Sequence, residues 1–308
     1  MEIVLGIDSG GTNYRVMAAD RDGQRLGLYV GPPASHHYLK LNEMKGRIEQ
    51  AIDQCLASFG GSRREIAGIV CGSTGIDSAR DLKIVEGCYR RLKDVKCPIK
   101  VMNDAELAHE AVTGGEGVLL ISGTGSIAYG KNRKGMKARA GGWPLSIFGD
   151  VGSGVWLSKM ALRHYGRWLD GAVPEGTLTK WIREELGLSS REDLVCLALE
   201  RGNIPEKLPR LGKLVNQAAQ KGDKDAKDIL HGAAGELFLL VEDIVRSLGM
   251  EESEPDFLLG LWGSTLLKSE IMMECFSALV HKRFPQAVIC TPQKEAVEAA
   301  VGLALRLC

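Results

Sequence analysis

No run of about 20 consecutive apolar residues occurs in the chain, so nothing in it is long enough to read as a transmembrane helix. The opening Met1-Glu2-Ile3-Val4-Leu5-Gly6 lacks the basic stretch, apolar run and cleavage site of a signal peptide and reads directly as a strand. No Asn-x-Ser/Thr acceptor occurs, and the expectation is a cytoplasmic protein. Neither charge sign is in excess. Lys+Arg and Asp+Glu both count 39, so there is no global field to hold nucleic acid or a membrane surface. The eight cysteines form no C-x-x-C pair and are irregularly spaced, which leaves no zinc or iron–sulfur ligand pattern. They read as reduced core or surface thiols. Two nucleotide signatures are also missing. Without G-x-x-x-x-G-K-[ST] the chain is no P-loop enzyme, and without G-x-G-x-x-G after a strand a dinucleotide fold has no support.

What is present is a 308-residue chain, 44% hydrophobic and 25% charged, long enough for two domains. Residues 3–7 are apolar and mostly β-branched, the pattern of a buried strand. Strands are also predicted over 14–19 and 25–30, joined by the hairpin signal Asp22-Gly23, then over 66–71 and 99–102. Helical spacing covers 43–59, 81–92 and 106–112. The second half is richer in helix, with predicted segments at 153–169, 178–186, 191–200, 208–220 and 225–248. A strand at 257–261, a helix opening at Gly263-Ser264, a short strand at 288–290 and a helix at 293–307 complete the chain. Alternating strands and helices make an α/β protein, and the hairpins argue for mixed rather than parallel sheets.

The opening recurs. Val4-Leu5-Gly6-Ile7-Asp8 is similar to Val118-Leu119-Leu120-Ile121-Ser122, and each run is followed by a Gly-Thr, at Gly11-Thr12 and Gly123-Thr124. Each threonine stands at the same offset before a hairpin glycine, Gly23 or Gly135. This spacing is a repeat on the scale of a domain.

Five motifs carry chemistry. Asp8-Ser9-Gly10-Gly11-Thr12-Asn13 follows a strand. Its glycines let successive N–H groups approach a phosphate, Thr12 and Asn13 add donors, and an acid at the strand end can hold hydrated Mg²⁺. Alone, it is equally a plain glycine-rich hairpin. Ser122-Gly123-Thr124-Gly125-Ser126 offers the same donors in the second half, and two such loops could clamp one nucleotide. Asn103-Asp104-Ala105 ends a strand and opens a helix; Asp104 suits a general base, and it equally suits an N-cap. Gly141-Gly142-Trp143 through Gly149-Asp150-Val151-Gly152-Ser153 suits a polyol site, the alternative being a loop with Trp143 in the core. Leu259-Gly260-Leu261-Trp262-Gly263-Ser264 runs a strand into a helix N-terminus, where adenine and ribose can approach backbone.

Taken in order, these residues resemble the N-acetylglucosamine kinase family, within the wider group that includes the benzoyl-coenzyme A reductase activating ATPases. Gln220-Lys221-Gly222-Asp223 and Ala234-Gly235-Glu236-Leu237 fit as well, so the likeness spans nearly the whole chain. The resemblance implies a duplicated actin-like (ribonuclease H-like) α/β fold, with domains 1–113 plus 291–308 and 114–290 and an ATP cleft between them. It implies ATP and Mg²⁺ as cofactors and a homodimer phosphorylating an amino sugar, with O6 the expected acceptor. Asp104 would be the base and Asp8 would position Mg²⁺; Gly10, Gly11, Thr12, Asn13, Gly123, Thr124 and Gly125 would hold phosphates. Gly260, Gly263 and Ser264 would lie near adenosine, while Asn103, Asp104, Ser126, Gly142, Trp143 and Asp150 would meet the sugar.

The departures cluster around the acceptor. Where the family has a sugar-contacting Asn, this chain reads Ala34-Ser35-His36-His37-Tyr38, and His36 stands at that place; the alternative is that both histidines are solvated loop residues. Gly-Asp-Glu-Gly-Ser becomes Gly149-Asp150-Val151-Gly152-Ser153, with one extra residue between Trp143 and Asp150. The zinc cluster of another bacterial sugar-kinase family and the iron–sulfur cysteines of the activating ATPases have no counterpart here. The competing readings are an ATPase that drives a protein partner and a nucleotide sensor without catalysis.

Overall fold

A computed structural model of the chain describes residues 2–143, 149–188, 190–199 and 203–308. The chain divides into two units, one running to Gly115 and joined by Pro292–Cys308, the other Glu116–Thr291. The first opens with β1 (Ile3–Ser9), β2 (Tyr14–Ala19) and β3 (Arg25–Gly31). It continues through α1 (Leu41–Ala57), β4 (Ile66–Ser73), α2 (Ala79–Arg90), β5 (Ile99–Asn103) and α3 (Asp104–Thr113). The second opens with β6 (Gly117–Ser122), β7 (Ser126–Lys131) and β8 (Lys137–Gly141). The helices α4 (Gly154–Leu169), α5 (Thr177–Leu186), α6 (Arg191–Leu199), α7 (Asn203–Gln220), α8 (Lys224–Ser247) and α9 (Met250–Ser253) come next. Then follow β9 (Leu258–Trp262), α10 (Ser264–Leu267), α11 (Glu270–Arg283) and β10 (Val288–Cys290), before α12 (Ala296–Leu305) returns to the first unit.

The two sheets have the same plan. The orders are β3-β2-β1-β4-β5 and, read from the hairpin side, β8-β7-β6-β9-β10. In each, the first strand is antiparallel to the second and parallel to the fourth, and the fourth is parallel to the fifth. The repeat read from Gly-Thr spacing is therefore a repeat of topology, and the fold is the duplicated actin-like α/β arrangement.

Position in the sheet explains the sequence of β1. It has neighbours on both edges and is covered on both faces, so Ile3, Val4, Leu5 and Ile7 are all fully buried and the strand reads as a continuous apolar run. Gly6 interrupts that run because α12 crosses directly over it. A Cβ there would lie 2.5 Å from the Val297 carbonyl oxygen and the Val301 nitrogen, so only glycine lets helix and strand backbones meet. In the second unit, α8 presents Leu230, Ala233, Leu237, Val241 and Ile244 to the core, the spacing of one helix face.

Some boundaries differ from the sequence reading. Helix α3 begins at Asp104 rather than 106, because Asn103 caps it: its Oδ1 accepts from the Ala105 N–H at 2.8 Å. The N-cap alternative for Asp104 is thereby corrected. The helix opening at Gly263-Ser264 is a single turn, and the long helix α11 after it has no counterpart in the sequence reading, although Met272, Phe276 and Val280 are buried at helical spacing. The end of the predicted 191–200 helix and the segment 144–148, with the extra residue before Asp150, lie outside the described residues.

Candidate active site

Register decides what meets in the first unit. Ser9 pairs with Ser73 and Ser73 with Asn103, so the parallel strands β1, β4 and β5 end level with one another. Their carboxyl ends carry Asp8, Thr74 and Asp104, at the edge where open α/β sheets place ligands. Thr74 donates its N–H to the Ser9 carbonyl at 2.9 Å, and its side chain hydrogen-bonds the Asp104 carboxylate. Asp104 also accepts from the Ala105 N–H at 2.9 Å.

Charge on Asp104 bears on Asp8. Burial pushes Asp8 up from the ordinary carboxylate range to about 6, with Asp104 and Glu295 adding to the rise and Arg15 opposing it. Burial likewise raises Asp104, against the Ala105 and Thr74 hydrogen bonds that hold it down. A carboxylate with raised affinity for protons has raised affinity for other cations. Among the described residues no three His, Cys, Asp or Glu side chains gather as a metal cage. Asp8 therefore suits a Mg²⁺ that keeps its waters and takes its other ligands from a substrate's phosphates.

Arg15 and Glu295 also bear on Asp8, and the sequence reading named neither. Arg15 Nη1 lies 3.3 Å from Glu295 Oε2, and both are felt by Asp8. Arg15 follows the glycine-rich loop directly, which was a usable signal; Glu295 comes from the far end of the chain and gave none.

The hairpin loop between β1 and β2 is closed by Gly10 N–H donating to the Asn13 carbonyl at 3.0 Å. A Cβ on Gly11 would meet nothing within 4 Å, and Gly123 in the second unit is the same. Neither has a positive φ. Neither packing within its unit nor backbone strain calls for glycine at these two places. Both leave open exactly the space beside a run of backbone N–H groups that a phosphate oxygen needs.

In the second unit, Gly123 N–H donates to the Gly125 carbonyl at 2.9 Å, and the start of α4 folds over the loop: Gly154 N–H donates to Gly123 O at 2.9 Å and Val155 N–H to Thr124 O at 3.2 Å. The hydroxyl of Thr265 donates to Gly123 O at 2.7 Å. Beside this loop is a cavity of about 430 Å³. It is lined by Thr124, Ser264 and Thr265, and by Lys213, Asn216 and Lys268, a size suited to a small ligand. Ser269 Oγ donates to Asn216 Oδ1 at 2.7 Å, which leaves the Asn216 amide N–H groups to a ligand. Lys213 and Asn216 read from sequence as the wet face of an amphipathic helix and could not be told from one. Gly263 opens α10 with φ +98°, and a side chain there would run into the Ser122 carbonyl. Gly260 is buried in the middle of β9, paired with Leu119 and Cys290, and does not line the cavity.

The proposed acceptor residues have definite partners. Asp150 is a non-glycine residue at φ +60°; its Oδ1 accepts from the Ser126 N–H at 3.1 Å, and a side chain on Gly125 would run into it. Ser126 Oγ donates to Val151 O at 2.6 Å, and Gly142 N–H donates to Ser126 O at 3.0 Å. Trp143 is 60% exposed, which removes the alternative of a loop with Trp143 in the core. Asn103 Nδ2 donates to the Ile76 carbonyl at 3.1 Å. Of the two histidines, His37 is an exposed loop residue and His36 is not. His36 Nε2 lies 3.1 Å from Asp81 Oδ1, His37 Nε2 lies 3.0 Å from the Gly75 carbonyl, and the rings are 4.1 Å apart. The His36 side chain is 10% exposed and its Nδ1 is buried with no hydrogen-bond partner, a costly state for a polar atom.

Two domains of one topology, each presenting a glycine-rich loop at its sheet edge, define a member of the actin-like ATPase class. The profile of the BadF/BadG/BcrA/BcrD ATPase family matches residues 5–306, and the chain belongs to that family. It is 32% identical to an N-acetylmuramic acid/N-acetylglucosamine kinase of Clostridium acetobutylicum, over 100% of both chains. It is 30% identical to an N-acetyl-D-glucosamine kinase of Dictyostelium discoideum, covering 99% of this chain and 98% of that one. Among solved structures, a structural-genomics target from Chromobacterium violaceum matches with a TM-score of 0.74 at 21% identity, covering 99% of each chain, a likeness of fold.

Proposed function

We propose that the chain is an ATP-dependent kinase that phosphorylates a hydroxyl of an amino sugar, with O6 of N-acetylglucosamine or glucosamine as the acceptor. The observation that carries the reading is the pair of raised carboxylates, Asp8 and Asp104, at level strand ends beside a glycine-rich loop. The two full-length relatives that are named sugar kinases support it.

Asp104 accepts the proton of the attacking hydroxyl. Its oxygen bonds to the γ-phosphorus, the bond to the bridging β–γ oxygen breaks, and ADP leaves. The raised affinity of Asp104 for protons makes it the stronger base, provided that it is ionised at the working pH. In each unit the backbone N–H groups of the glycine-rich loop, around Gly10–Thr12 in the first and Gly123–Gly125 in the second, are the candidate donors to phosphate oxygens. Asp8 would hold Mg²⁺, which when bound neutralises charge on the phosphates. The cavity beside Thr124 takes the nucleoside, with Lys213, Asn216 and Lys268 as its polar contacts. His36 in the first unit and the exposed Trp143 ring in the second are the candidate sugar contacts, and Asp150 sets the loop that carries Ser126.

The test is ADP release in a coupled assay over a panel holding N-acetylglucosamine, glucosamine, N-acetylmuramic acid and glucose. Turnover should require an added amino sugar, and NMR of the product should show the phosphate on O6. Sugar-independent ATP hydrolysis would replace this reading with that of an ATPase serving a protein partner.

A further inference from the structure

A second cavity, of about 450 Å³, lies between α1 and α2 in the first unit. Its lining is asymmetric in charge. Arg80, Lys83 and Arg91 contribute to it, and no carboxylate does, in a chain whose acids and bases are equal in number. Helical geometry produces the cluster, because positions 80, 83, 87 and 91 fall along one stripe of α2 and its C-cap. The floor is apolar. Leu41, an exposed leucine, stands at the first position of α1, and Ile84 and the buried Cys88 complete it.

The three cations are not spent on structure. Arg15, Arg21, Arg63, Arg90, Arg133 and Arg183 each hold a carboxylate within 3.3 Å. Arg80, Lys83 and Arg91 hold none among the described residues, and all three side chains are exposed at the rim. Both Arg91 and Lys45 bear electrostatically on the buried Cys88 thiol, so positive charge faces the floor from α1 and α2 alike.

We infer that this cavity is a binding site for a small phosphomonoester, a phosphate dianion on a compact carbon body. Guanidinium pairs match the oxygens of a phosphate, and the lysine adds a point charge. The apolar floor takes the carbon skeleton, and the volume is that of a small-molecule pocket rather than of a polyanion track. The site is connected to the acceptor loop. Asp81, next to Arg80 in the first turn of α2, is the residue that holds His36, and Ser78 Oγ donates to its other oxygen at 2.6 Å. An ester drawing on Arg80 therefore bears on the turn that sets His36.

Titration calorimetry of glucose 6-phosphate into the full chain, with glucose and inorganic phosphate run alongside, reads the site directly. N-acetylglucosamine and ADP are added in excess, so that an ester entering a catalytic site is displaced. Glucose 6-phosphate should bind more tightly than either control, and more weakly as salt rises. The variant Arg80→Gln/Lys83→Gln/Arg91→Gln, with an unchanged melting temperature, should bind it about tenfold or more weakly, the scale of lost charge-assisted contacts. If that variant is unstable, Lys83→Gln/Arg91→Gln carries the same test. The inference fails if the wild-type chain does not bind the ester, or if the variants bind it equally well. It also fails if the substitutions change only the sedimentation coefficient, which would give the face to a second copy of the chain.

Discussion

The two units share a strand order and a loop, yet the same places in them hold opposite chemistry. The first unit ends β1 in Asp8-Ser9 and β5 in Asn103, with Asp104 opening α3. The second ends β6 in Ser122, whose hydroxyl is buried and donates to the Gly152 carbonyl at 3.1 Å, and β10 in Cys290 before Thr291-Pro292. The first gathers carboxylates around one arginine. The second lines its cavity with lysines, an amide and hydroxyls, and adds a layer of helices that the first lacks. Duplication thus supplied two equivalent donor loops. On the function proposed above, the carboxylates at its strand ends would give the first copy the base and the cation site, and the cavity would give the second copy the nucleotide.

That division can be broken by substitution. The largest effect is expected from Asp104→Asn. The amide keeps the shape but accepts no proton, so kcat should fall on the order of 1000-fold while nucleotide affinity, read by calorimetry, stays close to wild type. Loss of nucleotide binding in that variant would mean that the first unit also carries recognition.

Asp8→Asn is expected to lower kcat on the order of 100-fold and yet to stabilise the fold. The sign follows from the raised pKa. A carboxyl of about 6 in the folded chain and about 4 in the unfolded one binds more protons when folded between those values, so the wild type loses stability as pH rises from about 4 to 6. The asparagine variant escapes that loss. Without Mg²⁺ it should gain up to about 3 kcal/mol over the wild type at pH 7.5, and little at pH 4. Equal melting temperatures at both pH values would show that Asp8 is not strained by its surroundings.

In the second unit, Lys213→Ala and Lys268→Ala should each raise the KM for ATP about tenfold with the sugar KM unchanged. A change in sugar KM instead would blur the division between the copies. His36→Ala should raise the sugar KM roughly tenfold with little change for ATP, the scale of one lost hydrogen bond, while His37→Ala should do less because its Nε2 is held by the Gly75 carbonyl. An unchanged sugar KM in both would move acceptor recognition to Trp143 and the Asp150 loop.

The strand–loop–strand openings, the Gly-Thr pairs and the α/β alternation were legible in the chain because each depends on short-range sterics: a buried strand must be apolar, and a tight turn near a ligand must lack a Cβ. Their repetition at one offset was enough to read the duplication. What the three-dimensional structure alone decided depends on contact across the sequence. Asp8 came to feel Asp104 through register across β4, and burial that no single segment encodes raised the affinity of both for protons. Glu295 reached Arg15 because the last helix crosses back over Gly6. Lys213 and Asn216 became cavity residues because α7 packs beside the second loop, and His36 left the solvent because α2 presents Asp81 to it. A sequence fixes which groups are available; only folding sets the distances and the dielectric that turn them into acids, bases and contacts.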